Sequence, residues 1–327
     1  MNVLYPLKFK PIFKEKIWGG QKIKNILNKD FKPLPNCGEL WAMSGVQGDV
    51  SVVTNGFLTG NNLNELVEIY MDELVGDVVY QKFGNAFPIL IKFLNSSDYL
   101  SVQVHPDDVL AQKRHNCMGK TEMWYIIDCD ADSELIVGFK RGTNLEKYDS
   151  CMKEGSIKEI LNHIKISKDD VFYIPAGRVH AIGKGVLLAE IQQTSDITYR
   201  IYDWDRVDEK GNSRELHTEM ARDAINFKHE DDYYTRFSKI NNTSNTIIDS
   251  EYFDTKYLPL NSKMYLDLAD RDSFTVLVLL EGKCHLKSDD TIVKASMGEC
   301  ILLPNELNDI IIVPENDVKL LDVTLSQ

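Results

Sequence analysis

What most limits the folds open to this chain is a set of short apolar strands that carry polar groups on one face. In Leu100-Ser-Val-Gln-Val-His-Pro106, Val102 and Val104 alternate with Ser101, Gln103 and His105. Side chains two apart on a strand point to the same side, so Ser101, Gln103 and His105 project together. Lys120 and Glu122 share a face by the same rule, and their segment runs on into Trp124, Tyr125, Ile126 and Ile127. Residues of this type favour strands. His180 follows the apolar run Val171-Phe-Tyr-Ile174 and the turn Pro175-Ala-Gly177, where Pro fixes φ and Gly permits a tight reversal.

A stripe of imidazole, amide, carboxylate and ammonium inside apolar strands is costly to bury unless each group finds a partner. A divalent cation would serve as that partner. Gln103, His105, Glu122 and His180 are therefore candidate metal ligands, and two imidazoles with a carboxylate suit zinc or iron. His115, His163, His217, His229 and His285 have no such neighbours in sequence and read as ordinary core or surface residues.

Strand signals dominate elsewhere too, in Glu39-Leu-Trp-Ala-Met43, Val50-Ser-Val-Val53, Phe87 to Leu94, Leu187 to Gln193 and Tyr199 to Asp203. The pattern predicts an all-β core with helical insertions. Leu63, Leu66, Val67, Tyr70, Met71 and Leu74 have helical spacing, which places one insertion at about 62–83. A second is expected at about 145–164, interrupted near Gly155. Asn, Ser, Thr and Asp crowd between Asp231 and Ser250, so a linker is expected at 236–249. It would separate a larger domain, 1–235, from a smaller one, 250–327. In the smaller one no histidine follows Pro304, so no second ligand set is expected there.

With 327 residues the chain exceeds the usual single-core limit. Its formal charge of −13 argues against nucleic acid or an anionic membrane as the main partner. The first residues lack the features of a secretory signal, and no apolar run reaches membrane-spanning length. The six cysteines are scattered without Cys-x-x-Cys pairs, which fits reduced thiols. A cytoplasmic protein is expected, and oligomeric state is left undetermined.

Ser101-Val-Gln-Val-His-Pro-Asp-Asp108, Gly119-Lys-Thr-Glu-Met-Trp-Tyr125, Ile174-Pro-Ala-Gly-Arg-Val-His-Ala-Ile-Gly183 and Glu190-Ile-Gln-Gln-Thr-Ser-Asp-Ile-Thr-Tyr-Arg-Ile-Tyr-Asp203 together resemble the type I mannose-6-phosphate isomerases (phosphomannose isomerases), in their short bacterial form. Ile17-Trp-Gly-Gly20 and Gly38-Glu-Leu-Trp-Ala-Met-Ser-Gly45 also resemble that family's N-terminal motifs, so the likeness covers nearly the whole chain. It implies two cupin (jelly-roll) barrels, the first catalytic and the second smaller and degenerate. By the same likeness, Gln103, His105, Glu122 and His180 would hold one zinc ion per chain, with Arg200 as the active-site arginine. Arg178 departs from the small polar residue expected before His180.

The chemistry so implied is interconversion of mannose 6-phosphate and fructose 6-phosphate through an enediol, which needs an electrophile, a proton carrier and a phosphate anchor. Arg200 is a permanently charged planar donor, favoured here to stabilise the enediolate. Its alternative is a surface ion pair with Asp203, Asp205 or Glu190. Lys120, beside the cation, is the preferred acid/base. Ser101, Lys92 and Glu190 are candidate substrate-binding groups. Trp18 and Glu39 are left out, because aromatic residues in β-domains more often belong to the core. Two other readings use the same residues: a cupin oxygenase with a two-His-one-carboxylate iron site, and a sugar-binding cupin without turnover.

Overall fold

The computed structural model describes residues 4–207, 211–289 and 291–325. Among them the chain is mostly β, with strands in four sheets and six short α-helices. None of these helices is long and apolar enough to cross a membrane.

Two sheets carry the polar stripes. One has five strands in the order Tyr199–Tyr202, Val102–Val104, His180–Ile182, Glu134–Phe139 and Leu161–Lys165. The other has six, in the order Ile12–Lys14, Glu39–Met43, Ile89–Ser96, Val186–Gln193, Glu122–Cys129 and Val171–Ile174. Ile89–Ser96 and Val186–Gln193 lie at its centre and are buried at every position. Both faces are covered, which explains why these strands read as near-continuous apolar runs. Ile89, Ile91 and Phe93 pack into a large core shared with Phe274, Val276 and Val278 of the C-terminal part, while Leu94 and Leu188 pack on the other side with Trp124 and Phe172.

The C-terminal part supplies a six-stranded and a four-stranded sheet. Leu7–Lys8, at the start of the chain, pairs with Cys300–Leu303 in the six-stranded one. The segment expected as a linker, 236–249, ends in the strand Asn245–Ile248, which joins the same sheet by pairing with Asp254–Leu260.

The first expected insertion forms the helices Leu63–Val75 and Asp77–Phe83. Asn62 and Glu65 close a reciprocal capping box at its start. Gly76 divides the two helices at φ 93°, and a Cβ there would meet the Asp272 carbonyl at 2.4 Å, so the break needs glycine. The second insertion is shorter than its spacing predicts. The helix Leu145–Glu154 stops at Gly155, which adopts the left-handed conformation, and the chain becomes strand from Leu161. Leu161 and Ile164 lie on opposite faces of this edge strand and pack against different apolar clusters, and their spacing of three mimics a further helical turn.

Candidate metal centre and cleft

Register places the site groups in two rows. On the five-stranded sheet Arg200 lies across from Gln103, and Gln103 across from His180, on three adjacent strands. On the six-stranded sheet Trp41, Lys92, Glu190 and Trp124 form a second row across four strands. Glu122 stands opposite Gln192, two residues along from Glu190 and on the same face.

The Pro175-Ala-Gly177 turn is pinned to both ligand-bearing segments. Gly177 N–H donates to the His105 carbonyl at 2.9 Å, and Ala176 N–H to Thr121 Oγ1 at 3.2 Å. Gly177 has φ 85°, and a Cβ would come within 2.9 Å of the Ala224 carbonyl. His180 follows directly as the first residue of its strand. Arg178 points away from the site: it donates to the Tyr173 carbonyl and to Glu230, and it lies over the Tyr233 ring.

His105, Glu122 and His180 are each 1% exposed, and their ligand atoms lie within 4.8 Å of one another. Each imidazole is held in one tautomer by a backbone carbonyl. His105 Nδ1 donates to Ile197 at 2.9 Å and His180 Nδ1 to Arg178 at 2.8 Å, so both Nε2 lone pairs face inward. Burial, with the Lys120 ammonium adding to it, lowers the His105 imidazole to about 3. Burial likewise lowers His180. Burial pushes the Glu122 carboxyl up, but Lys120 and His105 outweigh it and hold the group well below the usual carboxylate range. Two neutral imidazoles thus face an anion.

That arrangement is unfavourable by itself. His105 Nε2 lies 3.3 Å from Glu122 Oε1 and His180 Nε2 lies 3.8 Å from Oε2, with acceptors on both sides of each contact. His105 Nε2 and both Glu122 oxygens are buried without a hydrogen-bond partner. Lys120 Nζ lies 3.1 Å from Glu122 Oε1 as a charge neighbour. Gln103 Nε2 is 3.2 Å from His180 Nε2, and reversing the amide would present its oxygen instead. Four N and O ligands about 2.1 Å from one tetrahedral ion stand roughly 3.4 Å apart, close to these separations. The four residues therefore fit a divalent metal ion.

The centre opens into a cleft of about 490 Å³. Every sequence-predicted substrate or catalytic residue, Ser101, Lys92, Glu190, Lys120 and Arg200, lines it alongside Gln103. Lys92 is buried, with Nζ 2.6 Å from Gln192 Oε1 and 3.2 Å from Glu190 Oε1. Burial lowers the Lys92 ammonium, but the charges of Glu190 and Glu39 raise it further, so it stays above its ordinary value. Burial, then the Glu122 charge, raises the Glu190 carboxyl, whose second oxygen accepts from Trp124 Nε1 at 2.9 Å. Arg200 Nη1 donates to the Glu215 carbonyl at 2.7 Å, while its Nε is buried without a partner. Among the described residues Arg200 forms no ion pair with Asp203, Asp205 or Glu190.

The cleft also contains residues that the sequence reading passed over. Trp18, Glu39 and Trp41 line it, with Lys14, Lys16, Asp196, Thr198 and Arg214. Trp18 and Glu39, left out of the expected catalytic set, both lie in the N-terminal motifs that carried the resemblance. Arg214 sits in a polar loop with no strand pattern to mark it. Six cationic side chains against three acidic ones give this cleft a local charge opposite to that of the chain.

The model of the catalytic domain of type I phosphomannose isomerase matches residues 6–137. The mannose-6-phosphate isomerase ManA of Bacillus subtilis is 38% identical over 310 residues, 93% of this chain and 94% of that protein. A mannose-6-phosphate isomerase of Streptococcus mutans is 36% identical over 252 residues, 77% of this chain and 78% of its own length. Among solved structures, the mannose 6-phosphate isomerase of Bacillus subtilis superposes with a TM-score of 0.87 at 33% identity, covering 97% of this chain and 99% of that one.

Proposed function

The chain belongs to the type I phosphomannose isomerases and is an aldose–ketose isomerase; from that premise we propose how its own residues carry out the interconversion of mannose 6-phosphate and fructose 6-phosphate. The observation that carries the reading is the buried His105, Glu122 and His180 cluster, whose unpartnered acceptors open beside a cationic cleft.

Gln103, His105, Glu122 and His180 would hold one ion per chain, with zinc favoured by two imidazoles, a carboxylate and an amide oxygen. When bound, such an ion supplies Lewis-acid polarisation of the sugar's carbonyl and hydroxyl oxygens. Lys120, beside the ligand carboxylate and on the cleft wall, moves the proton between C2 and C1. The reaction passes through an enediol whose oxygens develop negative charge. Arg200 offers its unpartnered Nε–H to that charge, a preorganised donor that costs little reorganisation. Ser101 donates to a sugar hydroxyl, and the Lys92–Glu190 pair fixes the floor of the cleft under the ring. The oxygenase reading loses ground to the fourth candidate ligand, Gln103, which fills a position oxygen chemistry needs open.

The sheet pairs support a two-cupin reading. The five- and six-stranded sheets would make the catalytic barrel within 1–235, and the C-terminal sheets a smaller degenerate barrel within 250–327, with Asn245–Ile248 added to its edge.

The test is conversion of mannose 6-phosphate in heavy water, followed by proton NMR before and after chelation and zinc restoration. Metal-dependent conversion with deuterium at C1 or C2 is expected. Full turnover by metal-free protein would overturn the reading.

A further inference from the structure

The chain leaves the five-stranded sheet after Tyr202, makes a turn with Trp204 and Asp205 in left-handed conformations, and returns. The return is stapled: His217 N–H donates to the Arg200 carbonyl at 2.7 Å, and Arg200 N–H to His217 Nδ1 at 3.1 Å. This excursion brings Arg214 back to the cleft wall beside Arg200.

Asp203 holds the loop's arginines. Its side chain is 5% exposed and accepts from Arg206 Nη2 at 2.5 Å, from Arg214 Nε at 2.6 Å and from Arg214 Nη2. Arg206 is tied off elsewhere, with Nη1 donating to the Tyr99 carbonyl at 2.6 Å. Arg214 gives Asp203 its Nε and Nη2 edge, which leaves Nη1 outside that pair.

Charge balance distinguishes this corner from the rest of the cleft. Lys14 pairs with Asp49, Lys16 with Glu39, Lys92 with Glu190 and Lys120 with Glu122, one anion to each cation. Arg206 and Arg214 share one buried carboxylate, Asp203, and Arg200 beside them forms no ion pair among the described residues. Asp98, 3.5 Å from Arg206, and Glu215, which also acts on Arg200, are 57% and 83% exposed, so among the described residues Asp203 is the one buried anion of this corner. The Arg200 guanidinium registers this imbalance: burial, then the Arg214 charge, lower it from its ordinary value, with Asp203 opposing.

We propose that Arg214 anchors the phosphate dianion of the substrate and that Asp203 is the positioning residue that holds its guanidinium at the cleft wall. This deepens the isomerase reading and rests on it. Planar guanidinium forks match phosphate oxygens, and a second guanidinium lining the same cleft, Arg200, remains for the charge that develops at C1 and C2.

The test measures kcat and KM for mannose 6-phosphate, and separately the affinity for fructose 6-phosphate, fructose and inorganic phosphate by calorimetry. Arg214→Ala is expected to raise KM and to weaken fructose 6-phosphate and phosphate binding by ~10- to 100-fold, the range for a hydrogen bond to a charged group. Its kcat should fall less than KM rises, its metal content should match wild type, and Arg214→Lys should restore part of the loss. Asp203→Asn is expected to raise KM in the same direction by a smaller factor. Unchanged phosphate affinity in Arg214→Ala, or equal losses for fructose and fructose 6-phosphate, would overturn the anchor whether or not Asp203→Asn folds. Wild-type protein that binds these phosphates through Arg214 yet converts no mannose 6-phosphate would instead overturn the reading of the reaction and leave the anchor standing.

Discussion

The Lys120 ammonium lies 3.1 Å from Glu122 Oε1, so the preferred proton carrier touches a candidate metal ligand. The contact ties two roles together, and substitution separates them. Lys120→Met removes a positive charge from beside the ligand carboxylate, so metal affinity should hold or rise. Turnover should fall by ~10²- to 10⁴-fold, the usual contribution of a positioned acid/base. Metal content by mass spectrometry and steady-state kinetics on the same preparation check both. A variant that keeps its turnover would reduce Lys120 to a structural lysine.

His180→Ala should abolish stoichiometric metal and lower turnover by ~10³-fold or more, since several kcal/mol of charge stabilisation go with the ion. Wild-type protein should carry one ion per chain. In the C-terminal part His285 is engaged with Glu315 at 2.7 Å on the surface, and among the described residues the His105, Glu122 and His180 cluster is the one with ligand spacing. Two ions per chain in wild-type protein would contradict this assignment.

The strand rule made Gln103, His105, Lys120 and Glu122 legible, because period-two alternation fixes which side chains share a face. The turn before His180 was legible for a similar local reason, since its proline and glycine leave the backbone few choices. Cross-strand register is not local, so nothing in the sequence placed Arg200 opposite Gln103 or Trp41 in line with Lys92 and Glu190. Arg214 is held at the cleft by Asp203 and by the pairing of His217 with Arg200, contacts that no local pattern in the sequence announces. The boundary at 161 was missed because Leu161 and Ile164 are three apart, the spacing of one helical face, whereas the edge strand uses them on opposite faces against two different apolar clusters.

Glu190 offers a pH test. Its carboxyl is raised, by burial first and then by the Glu122 charge, so it takes up a proton at higher pH than an ordinary glutamate. The carboxylate is the form that pairs with Lys92, so kcat/KM should fall on the acid side, beginning above the usual carboxylate range of about 4.3. Glu190→Gln keeps an acceptor for Trp124 Nε1 and loses the charge. It should lower kcat/KM at pH 8 by roughly tenfold and flatten that acid limb. An acid limb that stays in place would assign it to another group.

Asp169 joins the two halves of the chain, and its effect on stability has a definite sign. It accepts from Tyr125 Oη at 2.7 Å and from Lys319 Nζ at 2.8 Å, bridging the Glu122–Cys129 strand region to the C-terminal strand Val318–Thr324. Burial pushes its carboxyl up, but the hydrogen bonds from Lys319 and Tyr125 outweigh that and leave it below its ordinary value. A depressed carboxylate stabilises the fold above its unfolded value of about 3.9, and that contribution is lost as pH falls through the lower folded value. Asp169→Asn keeps an acceptor for Tyr125 and removes the pairing with Lys319. It should cost about 1–2 kcal/mol at pH 7. Urea unfolding at pH 7 and again near pH 3 measures the difference between wild type and variant. The gap should narrow at low pH, because the wild type then loses the same interaction by protonation. A gap that is constant across both pH values would mean that Asp169 acts through shape and hydrogen bonding alone.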